Sequence, residues 1–363
     1  AAAADEGPGP ASEIAVAVGS EGGRRALEVL RSEAGGFGGV VAEELEALKA
    51  PLPWESVADD EEIDLGLGAA ADGKEAHLHL SSLKRRIAEV RRDDRMESAA
   101  ELLYLQVIHD FRDQLQAPLI PTLPQGGRGT EPSAVSLPAL DPKRLATTGV
   151  YSKDALELLK DHVMSIIGDW AHLTRDYPLQ LASYQAAKVY ALSCHFGYSL
   201  HRADTRYRLE KQLGSSAPAS LVDYVSAFGP EELHQVAQVA SREANRVVEL
   251  QVSSLFGDVE GLEEEVVAAL GLSDPSEDEG AVLERLQEAV ASGEVASMTI
   301  SIRDLRRLAL EGAAFGLLLA RAETRAQAAY EFTPSTKESP VALLGCKDQD
   351  QGSRMSGFSL FGA

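Results

Sequence analysis

The sequence predicts a mainly α-helical protein in which one helical unit occurs twice. Only 6% of its residues are aromatic, while Ala, Leu and Glu are abundant, and this composition favours helix. Apolar residues recur at helical spacing through most of the chain after residue 83. The motif F-G-x-x-L-x-R-A, followed by an acid and T-R, begins at Phe196 and again at Phe315, 315 − 196 = 119 residues further on. We therefore expect a tandemly duplicated helical unit that forms one compact helical domain.

The bulk properties exclude several classes of protein. The chain has 363 residues and a formal net charge of −23, so its surface repels nucleic-acid phosphates and anionic lipid headgroups. Its two cysteines, Cys194 and Cys346, are too few for a disulfide framework and fit a reducing compartment. The longest apolar run contains Glu311 and ends at Arg321, short of the roughly 18–20 residues that a membrane span needs. We expect no transmembrane span and no nucleic-acid partner.

The first 82 residues carry weak signals. Residues 1–60 read as a flexible or weakly helical region, and the Ala/Gly/Pro-rich start without an initiator Met indicates that a transit peptide is absent from this chain. Residues 61–82 contain EIDLGLG and EAHLHLS, which alternate apolar and polar residues as the strands of a small β-hairpin would. His77 and His79 share one side of the second strand and could hold a metal. No third ligand is visible nearby, so an exposed polar face is favoured.

A long helix and a linker follow. Residues 83–116 hold a discontinuous apolar stripe, which predicts a helix whose first part, KRRIAEVRRDDR, is charged almost all round. In a strongly acidic chain this basic stretch indicates a solvent-facing or partner-docking helix rather than a nucleic-acid site. Residues 117–140 contain five prolines and several glycines, which predicts a linker.

The rest of the chain divides into two copies of the unit, residues 141–214 and 215–332. Each copy reads as a Pro-started turn, a Ser-capped helix, a glycine stop and a long helix, which in the first copy is predicted from Leu179 to Gly214. Ser152 aligns with Ser241 at an offset of 241 − 152 = 89 residues, which grows to 119 at the F-G motif. The second copy therefore carries about 30 extra residues, which we place in the acidic stretch 259–290. Residues 333–363 read as a flexible tail.

The repeated long helix offers the strongest candidate site residues. At 100° per residue, the apolar positions of the motif share one face and should pack against the other copy. A second strip carries arginines four residues apart, which could clamp an anion or phosphate. Alternatively they pair with Asp204, Glu323 or carboxylates of the twin copy and lock the repeat interface, and the excess of acids favours this second reading. The strip consists of His195, Arg202, Arg206, Arg321 and Arg325.

An adjacent strip of the first copy carries Cys194 and His201 at a place where another helix could come close, so both are candidates for lining a pocket between the copies. Cys194 and His195 point about 100° apart on a helix and cannot act on each other as a thiolate–imidazole pair, so a buried structural cysteine is favoured. The glutamates around Glu263 could bind divalent cations loosely, but a solvated acidic face is favoured. The sequence predicts no catalytic residue, no cofactor and no metal site.

Four segments together resemble a known family, the plant and algal chloroplast proteins typified by the UV-B-induced protein, which carry the domain of unknown function 760. The resemblance implies a plastid stroma or thylakoid-associated setting and a stress- or light-linked role, and it implies no catalytic residues. It does not extend to residues 1–80 or to the tail. The segments are ESAAELLYLQVIHDF (97–111), YPLQLASYQAAKVYALSCHFGYSLHRADTRYRLEK (177–211), LVDYVSAFGPEELHQVAQVASREANRVVELQVSSLFG (221–257) and ISIRDLRRLALEGAAFGLLLARAE (300–323).

We therefore expect a non-enzymatic chloroplast protein that acts by protein–protein binding, as a stress- or light-linked regulator or a peripheral assembly subunit. Its partners would be other chloroplast proteins in a stromal or thylakoid complex, with membrane association only through a partner. Two alternatives stay open. One is a small-molecule or pigment binder with a pocket between the repeats, and the other is a metal-dependent enzyme with a carboxylate site between the two halves.

Overall fold

The computed structural model describes residues 18–32, 35–49, 73–124, 132–138, 145, 149–214, 218–271 and 279–335. Its helices are α1 (Glu21–Arg31), α2 (Phe37–Ala47), α3 (Gly73–Asp110), α4 (Lys153–Ile167), α5 (Ser183–Gln212), α6 (Leu221–Ser226), α7 (Pro230–Ala237), α8 (Arg242–Phe256), α9 (Val259–Leu270), α10 (Glu279–Ser292) and α11 (Ile302–Ala326). The strands are β1 (Ser133–Val135), β2 (Pro178–Ala182) and β3 (Ser297–Ser301). The predicted mainly α-helical fold is confirmed.

Serine caps and glycine stops set the helix ends, as the sequence indicated. Ser152 and Ser241 each accept a hydrogen bond from the backbone N–H three residues on, at the start of α4 and of α8. Both helices have 15 residues, and both end at a glycine with positive φ, Gly168 at 51° and Gly257 at 72°. Because only glycine adopts such angles without strain, the chain can leave both helices in the same direction.

The three strands form a small sheet in the order β1-β3-β2, with β2 antiparallel and β1 parallel to β3. The antiparallel register is centred on Gln180 opposite Thr299. The prediction of helix from Leu179 was therefore wrong, since Leu179–Ala182 lies in β2. The strand has only five residues and runs into α5 without a Gly or Pro between them, so the sequence carried no boundary signal.

Two other segments differ from the sequence-based expectations. The second half of the predicted hairpin is helical, because α3 begins at Gly73, and its first half lies outside the described residues. Extending a helix by one more turn costs far less than nucleating one. Residues with a short alternating pattern directly before a strong helix therefore join that helix. The described parts of the expected linker 117–140, residues 117–124 and 132–138, instead pack into the fold, since Ile120 and Leu123 are buried and Ser133–Val135 forms β1.

Both ends are also more ordered than expected where the structure describes them. Helices α1 and α2 pack on α3 through buried Leu30 and Phe37, and the Glu101 carboxylate accepts hydrogen bonds from the Gly19 and Ser20 N–H groups. At the other end, Thr333 pairs through its carbonyl with the N–H at the start of α8. Of the predicted regions 1–60 and 333–363, residues 1–17, 33–34, 50–60 and 336–363 lie outside the described residues.

Helices α5 and α11 form the centre of the molecule, where the repeated motif brings two backbones into contact. A Cβ on Gly197 would lie 1.9 Å from the carbonyl oxygen of Ala313, and a Cβ on Gly316 would lie 1.8 Å from that of Cys194. Gly316 and Ala313 lie 119 residues after Gly197 and Cys194. Each glycine therefore meets the equivalent carbonyl of the other helix, and the contact is reciprocal. Since no other side chain fits there, the motif requires glycine at both positions.

The surroundings of the two helices also correspond. Helix α4 packs on α11, while α8 packs on α5, so each Ser-capped helix lies against the long helix of the other copy. Contacts between α5 and α11 advance in the same direction along both, from Tyr190 near Gly312 to Tyr198 with Glu323, so the two helices run parallel. Residues matched in the sequence thus occupy matching places, and their origin from one duplicated segment stays a prediction.

The described parts of the acidic insertion form two packed helices, α9 and α10, which we call the hairpin. It has its own small apolar core, which includes Val266, Leu270, Leu286 and Val290, and it packs on β2 and the start of α5. Over the described residues, no helix combines the length and the apolar character needed to cross a membrane.

Candidate functional site

The most buried charged groups lie on α11. Arg307 and Glu311 are one helical turn apart and form an ion pair of 2.7 Å between Nη2 and Oε2, with both side chains almost completely shielded from water. Glu311 also accepts the Ile120 N–H on both oxygens, at 3.1 and 3.0 Å, and Arg307 donates to the Pro118 and Pro138 carbonyls at 2.8 and 3.0 Å. The pair therefore fastens the Pro-rich segment to the central helix.

A chain of polar side chains continues from this pair. The Tyr190 hydroxyl lies 3.5 Å from Glu311 Oε1 and accepts from Gln251 Nε2 at 3.2 Å. Gln251 Oε1 in turn accepts from the Tyr104 hydroxyl at 3.0 Å. Burial raises the pKa of both tyrosines, and it raises the pKa of Glu311 despite the opposing effect of Arg307. The network links α3, α5, α8 and α11 through hydrogen bonds between their own side chains.

Sequence reasoning missed this network. One signal was present, because Glu311 interrupts a long apolar run and Arg307 precedes it by four residues, the spacing of a helical ion pair. The partners Gln251 and Ile120 come from distant parts of the chain, and no local pattern identifies them.

Two of the predicted arginines make equivalent contacts across the repeats. Arg202 donates from Nη1 to the Gln238 carbonyl at 2.6 Å, and Arg321 donates from Nη2 to the Val150 carbonyl at 2.8 Å. Each carbonyl belongs to the turn before the Ser-capped helix of the other copy. The partners are thus backbone oxygens, where the sequence had suggested carboxylates.

The other two arginines have carboxylate partners. Arg206 donates to Glu210 and to Glu232, each at 3.0 Å, and Arg325 pairs with Asp110 at the end of α3. The helix dipole acts mainly within the last turn, and of these four arginines only Arg325 lies in the last turn of its helix, where its charge offsets the negative end of α11.

Near Arg321 the positive charges are crowded. Burial and the neighbouring Arg208 and Arg325 lower the pKa of Arg321, and burial, together with Arg321 and Arg208, lowers the pKa of His201 to about 4. The carboxylates of Asp204 and Asp110 neutralise Arg208 and Arg325 at this place.

The remaining predicted residues lie inside the packing. Cys194 is fully buried where its carbonyl meets Gly316, and burial raises the pKa of its thiol. His195 is partly buried on α5, its Nε2 lies buried without a hydrogen-bond partner, and burial lowers its pKa to about 4. His162, which stacks on Phe196 with ring centroids 4.0 Å apart, has its pKa lowered to about 4 for the same reason. Where the sequence placed a pocket between the copies, the structure places close helix packing.

The first half of α3 contrasts with this closed interior. Residues 85–95, which we call the arm, are mostly exposed, and α3 becomes buried only from Ala99 onward. The arm carries five arginines in eleven residues, Arg85, Arg86, Arg91, Arg92 and Arg95. Ile87 and Val90 lie among them with 40% and 52% of their surfaces exposed. His77 and His79 also lie on α3, beyond the arm.

Two further features of the structure concern metal and ligand binding. Among the residues that the structure describes, no group of three or more His, Cys, Asp or Glu side chains is placed to hold a metal ion. A shallow cavity of about 240 Å³ lies between α1, α2 and the end of α3, beside Phe37, His109 and Arg112. Its volume is below the roughly 300–1,000 Å³ of ordinary ligand pockets.

Comparison with known proteins connects this chain to one family. Residues 82–213, from the arm to the end of α5, match the family described as Protein of unknown function (DUF760). The UV-B-induced protein At3g17800, chloroplastic, of Arabidopsis thaliana is 26% identical over 301 residues, which cover 69% of this chain and 64% of the relative. The chain thus spans less than two thirds of that relative's length. No solved structure matches. The resemblance inferred from the sequence is confirmed.

Proposed function

We propose that this protein acts in the chloroplast, in the stroma or at the thylakoid surface, by binding other proteins without catalysing a reaction. It would serve as a regulator or a peripheral assembly subunit in a response to light or stress. The similar Arabidopsis thaliana protein is described as chloroplastic and UV-B-induced, which supports the location and the link to light. The arm is the observation that carries the binding role.

The arm has the character of a docking element. In a chain of net charge −23, its eleven residues carry five arginines and the three acids Glu89, Asp93 and Asp94, a net charge of 5 − 3 = +2, beside two exposed apolar residues, Ile87 and Val90. An exposed apolar stripe with a charged border is typical of a helix that binds a groove or another helix. The partner that fits is an acidic surface with an apolar strip.

The buried polar groups support a structural rather than a catalytic role for the interior. Glu311 and Arg307 bond to each other and to three backbone groups of the Pro-rich segment, while Nη1 of Arg307 is buried without a hydrogen-bond partner. The small-molecule alternative is less favoured because the backbones of α5 and α11 touch where that pocket was expected.

Affinity capture from chloroplast extract tests the proposal. Wild-type protein is compared with the arm variant Arg86→Glu/Arg91→Glu and with a matched control, Lys153→Glu/Lys160→Glu, which makes the same charge change at exposed positions of α4. We expect wild type and control to recover the same proteins in the same amounts. The arm variant should recover at least ten-fold less of each. Equal recovery by all three, or recovery of no specific protein by wild type, would contradict the proposal.

A further inference from the structure

A second charged surface lies on the hairpin of α9 and α10. Glu260 and Glu264 are exposed one turn apart on α9, and Glu284 and Glu288 repeat that spacing on α10. Val267, beside Glu264, is 47% exposed. Over the residues described, none of these four carboxylates pairs with a Lys or Arg side chain. Like charges at this spacing weaken a helix slightly. Within the part of the chain that the structure describes, the hairpin therefore presents negative charge without basic side-chain partners.

The arm and the hairpin match in chemistry. The arm exposes Ile87 and Val90 among charges that sum to 5 − 3 = +2, and the hairpin exposes Val267 beside Glu264 on a surface with a negative net charge. Each surface therefore combines exposed apolar residues with exposed charges, and the two net charges have opposite signs. Such complementary charges steer encounter and fix the register of an interface, while the apolar residues supply the burial.

The two surfaces lie at opposite ends of the molecule. Helices α3 and α8 run parallel, since Glu97 pairs with Arg246 near their first contact and Tyr104 with Gln251 further along. The arm precedes Glu97 and so extends past the beginning of α8, whereas α9 follows the end of α8. The 15 residues of α8 alone span about 22 Å. The arm of one molecule therefore cannot reach its own hairpin.

We propose that the arm docks on the acidic hairpin of a second copy of this chain, so that the protein associates head to tail. Each molecule offers one arm and one hairpin, so the contact is heterologous and leaves a free arm at one end and a free hairpin at the other. The products are chains, or rings if the rotation closes. Because each copy has a net charge of −23, the long-range repulsion opposes association and the local attraction must exceed it.

Sedimentation velocity of the purified full chain tests this association. We expect a weight-average mass above the 38.7 kDa of one chain that rises with protein concentration at about 50 mM salt. We expect it to fall toward one chain at about 0.5 M salt, where exposed charges are screened beyond a few ångströms. A single-chain mass at every concentration and salt level would overturn the proposal.

Charge exchange identifies the surfaces. The arm variant Arg86→Glu/Arg91→Glu and the hairpin variant Glu264→Lys/Glu284→Lys should each sediment as single chains, while the control Lys153→Glu/Lys160→Glu associates like wild type. A mixture of the arm and hairpin variants should recover association, since each altered surface then finds an opposite charge on the other protein. If either variant alone associates like wild type, or if their mixture does not recover, the proposal is wrong. Circular dichroism of each variant confirms that it is folded.

This inference rests on the proposed function in one respect, that the arm is a binding surface. Separate results would refute the self-association and the proposed function. A single-chain mass for the purified protein overturns self-association and leaves capture of chloroplast proteins by the arm in place. Equal capture by wild type and arm variant overturns the proposed function and leaves the sedimentation result to decide self-association.

Discussion

Replacing Gly197 by alanine should destabilise the protein, although alanine is the better helix former. The added Cβ would lie 1.9 Å from the Ala313 carbonyl oxygen, whereas real contacts of this kind are essentially never below 3.0 Å. The helices α5 and α11 must therefore separate locally by at least 3.0 − 1.9 = 1.1 Å. A gap of 0.5–1 Å already forfeits about a quarter to a half of the dispersion energy across a contact.

The expected loss follows from two opposing effects. Overpacking and the gap together cost about 3–4 kcal/mol, slightly above the roughly 1–3 kcal/mol that extra methylene groups typically cost in cores. The helix preference of alanine over glycine returns about 1 kcal/mol. We therefore expect Gly197→Ala to lower the free energy of unfolding by about 2–3 kcal/mol, measured by urea denaturation at constant slope.

A matched control and a double variant sharpen this test. Gly39→Ala, in α2, adds a Cβ with no atom within 4 Å and should leave stability unchanged or raise it by up to about 1 kcal/mol. Gly316→Ala should cost as much as Gly197→Ala, and the double variant should cost less than the sum by about 1 kcal/mol or more, since one separation admits both methyl groups. Equal stability of Gly197→Ala and Gly39→Ala would refute the reasoning.

Three further outcomes can be measured by denaturation. Arg307→Met and Glu311→Leu should each lower the free energy of unfolding by about 3–5 kcal/mol, because each leaves a buried charge unpaired. The double variant should lose less than the sum of the two by about 2 kcal/mol. Simple additivity would contradict the pairing. The pKa of His195 is lowered to about 4 in the folded protein, so its contribution to stability is present above about pH 6.5 and is lost as the pH falls toward 4. The fall in unfolding free energy from pH 6.5 to 4.5 should therefore be about 1–2 kcal/mol smaller in His195→Ala than in wild type. Identical pH profiles of the two proteins would contradict the lowered pKa of His195. Ser152→Ala and Ser241→Ala should each cost about 1 kcal/mol through loss of an N-cap, whereas a cost in only one would show that the two caps are not equivalent.

The sequence predicted the parts of the fold that depend on local physics. Ser152 and Gly168 bound α4 as expected, because a cap and a positive-φ glycine act within a few residues. The strands escaped prediction because each has five residues or fewer and is stabilised by partners far along the chain. The charged pair Arg307 and Glu311 could have been suspected from its spacing, but its backbone partners come from a Pro-rich segment that resembles a linker.

The sequence also predicts only part of the candidate surface. The basic stretch around Arg86 was visible in the sequence, and its exposure depended on where α3 meets the remaining helices. The glutamates of the acidic insertion were visible too, but their placement on a hairpin at the far end of α8 is a property of the tertiary fold. Residue type predicted the charges, and packing decided which of them face solvent.

Amide hydrogen exchange of the arm tests the central claim, that this protein works by binding through α3. Residues 85–95 are compared in the purified protein, diluted until it is a single chain, and in the native complex isolated from chloroplasts. We predict that the arm amides exchange at least ten-fold more slowly in the complex, while the buried amides of α11 do not change. Equal exchange of the arm in both states would contradict the account.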